Sequence, residues 1–212
     1  MTVPLDAGPF DASPRPFDVS PCSDAPLVAF IGASGSGKSS VVRELDRRGV
    51  LRVHPTWTTR PRRADELDGS PEHRFVSDAE FAALRGGGFF LDAVQMFGLP
   101  YWYGLPVITP VPGLADAVML RARLVDRLRV HHPYLLVYQL DASRAVLTDR
   151  LRARGYGPVE LGARLTDNDV ERHAGSRVAT RVFRNDGSLA DTVHHIELAL
   201  RRDLANPRRE SA

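Results

Sequence analysis

The sequence predicts an α/β fold, a parallel sheet with helices on both faces. Three observations carry this. An apolar run, Leu27 to Ile31, is followed by a glycine-rich turn and then by an amphipathic helical pattern. Further apolar runs alternate with helical patterns along the chain, the order that lays strands side by side beneath crossover helices. One segment, 56–106, breaks the alternation and is too long for a loop, so it reads as a lobe inserted between two strands.

Residues 1–25 are rich in Pro, Asp and Ser with no sustained period, and predict a mobile leader. Leu27-Val-Ala-Phe-Ile31 is continuously apolar, as in a strand buried on both faces. Gly32 to Ser39 then fits G-x-x-x-x-G-K-[ST], the P-loop pattern, between strand and helix. The expected architecture is therefore a P-loop NTPase-type sheet. Gly32, Gly35 and Gly37 permit positive φ and close approach of the backbone to phosphate oxygens. The loop, with Ala33, Ser34, Ser36 and Ser40, would surround the phosphates of a nucleotide with N–H groups at the positive end of a helix. Lys38 would reach the outer phosphates, and the Ser39 hydroxyl is the expected Mg²⁺ ligand. The motif implies nucleotide phosphate binding and leaves the phosphoryl acceptor open.

Ser40 to Arg48 predicts the helix behind the loop, with Val41, Val42 and Leu45 on one face. Val50 to Val53 predicts the second strand. Within the lobe, Ser77 to Arg85 predicts a helix, with Ser77 and Glu80 as its capping box. Ala117 to Leu120 predicts the third strand, followed by an Arg-rich helix from Ala122 to Val130. Tyr134 to Leu140 reads as a buried strand, Ser143 to Arg154 and Val159 to Ala174 as helices, and Val178 to Phe183 as the last strand. Ser188 caps a final helix reaching about Leu204. This divides the chain into a domain over 26–206, with core 26–55 and 107–206 and lobe 56–106, and a frayed tail over 207–212.

Composition excludes several classes. The 212 residues are 43% hydrophobic and 25% charged, with 28 Lys and Arg against 26 Asp and Glu. A net charge of +2 is too small to imply a nucleic-acid partner. Cys22 is the single cysteine, which rules out an internal disulfide and suits a reducing cytoplasm. There is no signal-peptide pattern and no apolar run of membrane length. A cytoplasmic monomer or homodimer with a small-molecule partner is expected, with no membrane partner. The adjacent pairs His131-His132 and His194-His195 lack metal-ligand spacing. Arg121, Arg123, Arg127 and Arg129 read as a solvated helix face.

The lobe carries the other candidates. Thr58-Thr-Arg-Pro-Arg-Arg63 places three arginines after the second strand, followed by Glu66. Then come Glu72-His-Arg-Phe-Val-Ser77, Phe89-Phe-Leu-Asp92 and Tyr101-Trp-Tyr-Gly104. Arginine forks with acids and aromatics suit a phosphorylated acceptor with a planar or polyol body.

With these motifs in this order, the chain from Pro26 to Leu204 resembles guanylate kinase and its close relatives. Arg150-Leu-Arg-Ala-Arg-Gly155 and Ala163-Arg-Leu165 resemble that family's lid, here at about 154–168, and Asn185-Asp186 its Asn-Asp after the last strand. The resemblance implies that Arg60 and Arg63 hold the acceptor phosphate, with Glu66, His73, Asp92 and Tyr103 also in the acceptor site. It implies that Arg154 and Arg164 close from the lid onto the transferring phosphoryl, and that Asn185 lies near the adenine. The implied activity passes the γ-phosphoryl of MgATP to GMP, giving GDP. Four positions depart from the pattern: Asp92 stands for a glutamate, His73 for a tyrosine, Leu105 for Ser or Thr, and Val118-Met-Leu-Arg-Ala122 lacks an Asp-x-Asp. Glu72-His73, Gly98-Leu99 and Asn185-Asp-Gly-Ser-Leu189 resemble instead the ribose bisphosphate kinase of phosphonate breakdown. That activity, and a non-catalytic nucleotide-binding or interaction module, are the alternatives.

Overall fold

The computed structural model describes residues 27–62, 66, 72–95, 100–108 and 114–205. The expected leader and tail, Arg63 and the Gly98-Leu99 pair lie outside them.

The core is a parallel five-stranded sheet built from β1 (Leu27–Ile31), β2 (Leu51–His54), β7 (Ala115–Met119), β8 (Leu136–Asp141) and β9 (Arg181–Arg184). Its order is β2-β7-β1-β8-β9, so β1 is central. Alternate side chains of β1 feed two cores. Val28 and Phe30 pack with Val41, Val42 and Leu45 of α1 (Lys38–Arg47) and Val193, Ile196 and Leu200 of α6 (Leu189–Ala205). Leu27, Ala29 and Ile31 pack with Val118, Val137, and Val125 and Leu128 of α3 (Val125–His131). Each of these Val, Leu, Ile and Phe side chains contributes roughly 1.5–3 kcal/mol by leaving water.

The lobe forms a sheet of its own, ordered β4-β3-β6-β5, from β3 (Thr56–Thr58), β4 (His73–Phe75), β5 (Phe90–Gln95) and β6 (Trp102–Pro106). The helix α2 (Asp78–Gly86) covers it with Phe81, whose ring stacks on Phe90 at 4.5 Å and lies 5.9 Å from Trp102. Ser77 caps α2 as expected, its Oγ accepting the Glu80 N–H at 3.2 Å.

Three expectations are corrected. The Arg-rich helix is broken: Ala122–Leu124 is a 3₁₀ turn, and α3 starts at Val125. The Ala122 N–H turns aside to Glu171 Oε1 at 2.9 Å. The helix expected to stop at Ala174 runs on as α5 (Pro158–Val178), because Ala174 and Val178 continue its packing against the second core cluster. Val178 therefore belongs to that helix, and β9 begins at Arg181. The remaining helix, α4 (Arg144–Ala153), is capped by Ser143, which accepts the Val146 N–H. Among the described residues no helix is long and apolar enough to cross a membrane.

Candidate active site

The strand β1 delivers the Gly32–Ser39 loop to the carboxyl end of the parallel sheet, the edge where such sheets bind ligands. Two glycines are required by close approach. At Gly32 (φ +137°) a Cβ would lie 2.1 Å from the Leu140 carbonyl oxygen, and at Gly37 (φ +93°) 2.2 Å from Asn185 Nδ2. The helix α1 starts at Lys38 with no side-chain cap, so its first N–H groups are left for a ligand.

The Lys38 ammonium folds back onto its loop, donating to the carbonyls of Gly32 and of Ala33, the latter at 3.0 Å. Burial lowers its pKa to about 8; Arg121 and Arg154 push the same way, against Glu171 and Asp167. An uncapped helix start beside a folded-back lysine fits a polyphosphate, and the half-exposed Ser39 fits the role of a cation ligand beside it.

Three side chains hold the loop from outside. Asn168 of α5 donates to the Ser34 carbonyl at 2.9 Å and accepts the Ser34 N–H at 2.8 Å. Arg150 of α4 donates to the carbonyls of Gly35, at 3.1 Å, and Asn185, at 2.9 Å. Asn185 donates to the Ser36 carbonyl at 2.7 Å and accepts from Thr192 Oγ1 at 3.0 Å. Both ends of the Asn185 amide are thus engaged with the loop and α6, and its side chain does not line the cleft, where the base was expected beside it.

A cleft of about 500 Å³ opens in front of the loop. Ala33, Ser34, Gly35, Gly37, Lys38, Ser39 and Ser40 line it from the loop, His73, Asp92 and Tyr103 from the second sheet, Arg154 from the C-cap of α4 and Arg164 from the second turn of α5. Arg164 is held by Glu160 at 2.9 Å and lies 4.0 Å over the Tyr156 ring.

Gly32, Ser36 and Asn185 are not among the lining residues, and neither are Arg60 and Glu66. Arg60 is 7% exposed, ion-paired with Glu66 through both guanidinium nitrogens and 4.9 Å over the Phe75 ring. Burial opposes its charge, but Glu66 and then Tyr103 outweigh it, so its pKa stands above the usual arginine value. Arg60 thus stands behind Tyr103 as a buttress to the cleft.

The cleft also holds residues that the sequence reading set aside. Arg121, just past β7 where the chain lacks an Asp-x-Asp, bonds both Asp167 oxygens at 2.7 Å and reaches Glu171 Oε2 at 3.0 Å. Acids from α5 thus occupy the neighbourhood that the third strand leaves without any. Arg127, expected on a solvated face, pairs with Asp92 Oδ1 at 2.6 Å and lines the cleft. Arg129 bonds the Val178 carbonyl at 2.8 Å, and only Arg123 of that run is simply exposed. Helical spacing held the missed signal: Arg164, Asp167, Asn168 and Glu171 fall on one polar stripe.

A 142-residue stretch is 34% identical to a guanylate kinase of Nitrosococcus oceani, spanning 65% of this chain and 70% of that one. A guanylate kinase of Thermosynechococcus vestitus is 30% identical over 167 residues, 76% of this chain and 86% of that one. A ribose 1,5-bisphosphate phosphokinase of Pseudofrankia inefficax is 32% identical over 171 residues, 78% of this chain and 85% of that one. Among solved structures, a guanylate kinase of Anaplasma phagocytophilum shares the fold with a TM-score of 0.64 at 19% identity, over 88% of this chain and 90% of that one. No family model matches the chain.

Proposed function

This chain belongs to the guanylate kinase family, and we propose that it is an ATP-dependent kinase acting on a small phosphorylated acceptor. One observation carries this reading. A single cleft collects Lys38 and Ser39 from the loop, His73, Asp92 and Tyr103 from the second sheet, Arg154 from the end of α4 and Arg164 from the second turn of α5.

Phosphoryl transfer asks a protein mainly for positioning and charge stabilisation. The loop N–H groups orient the donor phosphates, and Lys38 exchanges its two carbonyl partners for phosphate oxygens. Ser39 would hold Mg²⁺, which when bound with ATP offsets charge on the outer phosphates. Arg154 and Arg164 would neutralise charge on the phosphoryl in transit. Tyr103, backed by the buried Arg60–Glu66 pair, orients the acceptor. Arg63, adjacent in sequence to this region, is assigned to the acceptor phosphate on resemblance alone. The single cysteine supports a cytoplasmic setting.

GMP is the first acceptor proposed, from the guanylate kinases among the relatives and the acid Asp92 on the cleft wall. Ribose 1,5-bisphosphate is the second. It is favoured by Leu105 in the same wall, which offers no side-chain hydrogen bond to a base, and by the engagement of Asp92 with Arg127. The complete loop with its lysine weighs against a purely structural interaction module.

The test is ADP release from MgATP with GMP, dGMP, AMP, UMP, ribose 1,5-bisphosphate or no acceptor. Release that depends on GMP supports the first acceptor, and release only with the sugar bisphosphate supports the second. ATP binding with no acceptor-dependent release would refute the enzyme reading for both.

A further inference from the structure

We infer that Arg127 is a specificity-determining residue that acts through Asp92, and that it makes this end of the cleft a seat for a second anionic group of the acceptor. Resting on the phosphotransferase reading above, this favours the second of the two acceptors proposed there, the sugar bisphosphate, over the first.

The pair joins the second sheet to a helix of the core. Asp92 lies on β5 of the second sheet and Arg127 on α3 of the core, and both line the cleft that separates the loop from the second sheet. Asp92 is 10% exposed and Arg127 is 64% exposed, with 2.6 Å between Oδ1 and Nη2. The other Asp92 oxygen, Oδ2, is buried and has no hydrogen-bond partner among the described residues.

A carboxylate grips the edge of a planar base by offering both oxygens to two adjacent N–H groups. Here one oxygen is taken by Arg127 and the other is covered. The two-point grip is closed off for as long as the ion pair stands. Arg127 replaces it with charge of the opposite sign. One carboxylate oxygen occupies little of a guanidinium that carries five N–H donors, and most of Arg127 faces outward. His131 lies four residues on, on the same face of α3, and also lines the cleft. The apolar side chains Leu105, Leu124 and Leu128 complete this part of the wall. Donors on an apolar wall suit a second phosphate on a compact polyol.

The test compares the binding of ribose 1,5-bisphosphate and of GMP, each measured by calorimetry with a non-hydrolysable ATP analogue present. It uses the wild type, Arg127→Gln and Arg127→Lys, with thermal unfolding to confirm that each is folded. Arg127→Gln is expected to weaken the sugar bisphosphate about tenfold or more, the loss of one charge-assisted contact. It is expected to tighten GMP, because Oδ1 of Asp92 is then free to accept one hydrogen bond from the base. Arg127→Lys, which keeps the charge, is expected to restore most of the sugar bisphosphate affinity. In steady-state assays the change should fall on the acceptor KM and leave the ATP KM in place.

Equal shifts for both acceptors, no shift for either, or a wild type that binds neither would overturn the proposal. Weakening of GMP alone would also overturn it, since Arg127 would then be reading acceptor atoms on the base. The kinase reading fails separately, by loss of ATP-analogue binding in the wild type. The ratio of the two acceptor affinities still reports on Arg127 in that case.

Discussion

Asn168 and Ser34 stand 134 residues apart and are joined by a pair of reciprocal hydrogen bonds, the Asn168 amide donating to the Ser34 carbonyl and accepting from the Ser34 N–H. Asn168 is 1% exposed, so neither bond competes with bulk water. The contact ties the phosphate loop to the helix that carries Arg164. Replacing Asn168 with Ala would leave two backbone groups of the loop without partners, at a cost of about 1–3 kcal/mol. The expected result is a lower unfolding temperature together with a raised KM for ATP. Asn168→Asp keeps the acceptor and removes the donor, and should fall between the two. Unchanged ATP affinity in a destabilised Asn168→Ala protein would show that the contact serves folding alone.

Lys38 gives the protein a pH signature. Its pKa falls from an ordinary 10.5 to about 8, first because of burial and then because of Arg121 and Arg154. Between those values the unfolded chain holds a proton that the folded chain has released, so stability rises with pH from about 8 to 10.5. Below about 8 both states are protonated, and the full cost of the buried charge is felt. Phosphate bound beside the ammonium restores its proton. ATP binding at pH 9 should therefore take up close to one proton, read as a calorimetric enthalpy that changes with the ionisation enthalpy of the buffer. Lys38→Ala should abolish that dependence and lower turnover by about 10²–10³-fold in a folded protein. A buffer-independent enthalpy in the wild type would refute the assignment.

How much of this was legible in the sequence depended on range. Leu27 to Ile31 and the following loop could be read directly, because a strand buried on both faces is continuously apolar and the loop's spacing is local. The supports of that loop could not, since Arg150 and Asn168 reach it across 115 and 134 residues. The second sheet escaped for another reason. Thr56–Thr58 and His73–Phe75 are three-residue strands without an alternating pattern, and what defines them is their pairing with each other and with β6. Arg127 and Arg129 looked like a solvated face because charge on a helix reads the same whether it meets water or Asp92 and the Val178 carbonyl. The sequence shows that 118–122 holds no acid, but that Asp167 and Glu171 stand beside Arg121 follows only from the folding of α5.

The Arg60–Glu66 pair offers a test of whether acceptor and donor are recognised separately. Arg60 is buried and paired, and it stands behind Tyr103 rather than in the cleft wall. Glu66→Gln should loosen the guanidinium and with it Tyr103, raising the acceptor KM by about tenfold, a change of 1.4 kcal/mol, with the ATP KM unchanged. Arg60→Ala should do more, because it removes the buried guanidinium that pairs with Glu66 and one of the two cations, Arg60 and Arg62, that lie over the Phe75 ring. Steady-state kinetics with each substrate varied in turn reads the difference. An ATP KM that moves in step with the acceptor KM would place the pair in general loop stability instead.

Gly37 offers the sharpest test of how the loop is built. Its φ of +93° is one that L side chains rarely adopt, and an added Cβ would come within 2.2 Å of Asn185 Nδ2. That amide cannot step aside cheaply. It is bonded to the Ser36 carbonyl at 2.7 Å, its oxygen accepts from Thr192 at 3.0 Å, and the residue is 3% exposed. Gly37→Ala therefore combines backbone strain of about 1–3 kcal/mol with the loss of a buried hydrogen bond. The expected outcome is a fall in unfolding temperature and loss of ATP binding together. Pairing it with Asn185→Ala removes the obstacle but not the φ strain. The double variant should thus be less destabilised than the sum of the two single changes, a non-additivity that thermal or urea unfolding can measure. Strict additivity would mean that the clash is relieved elsewhere and that Asn185 does not set the position of the loop.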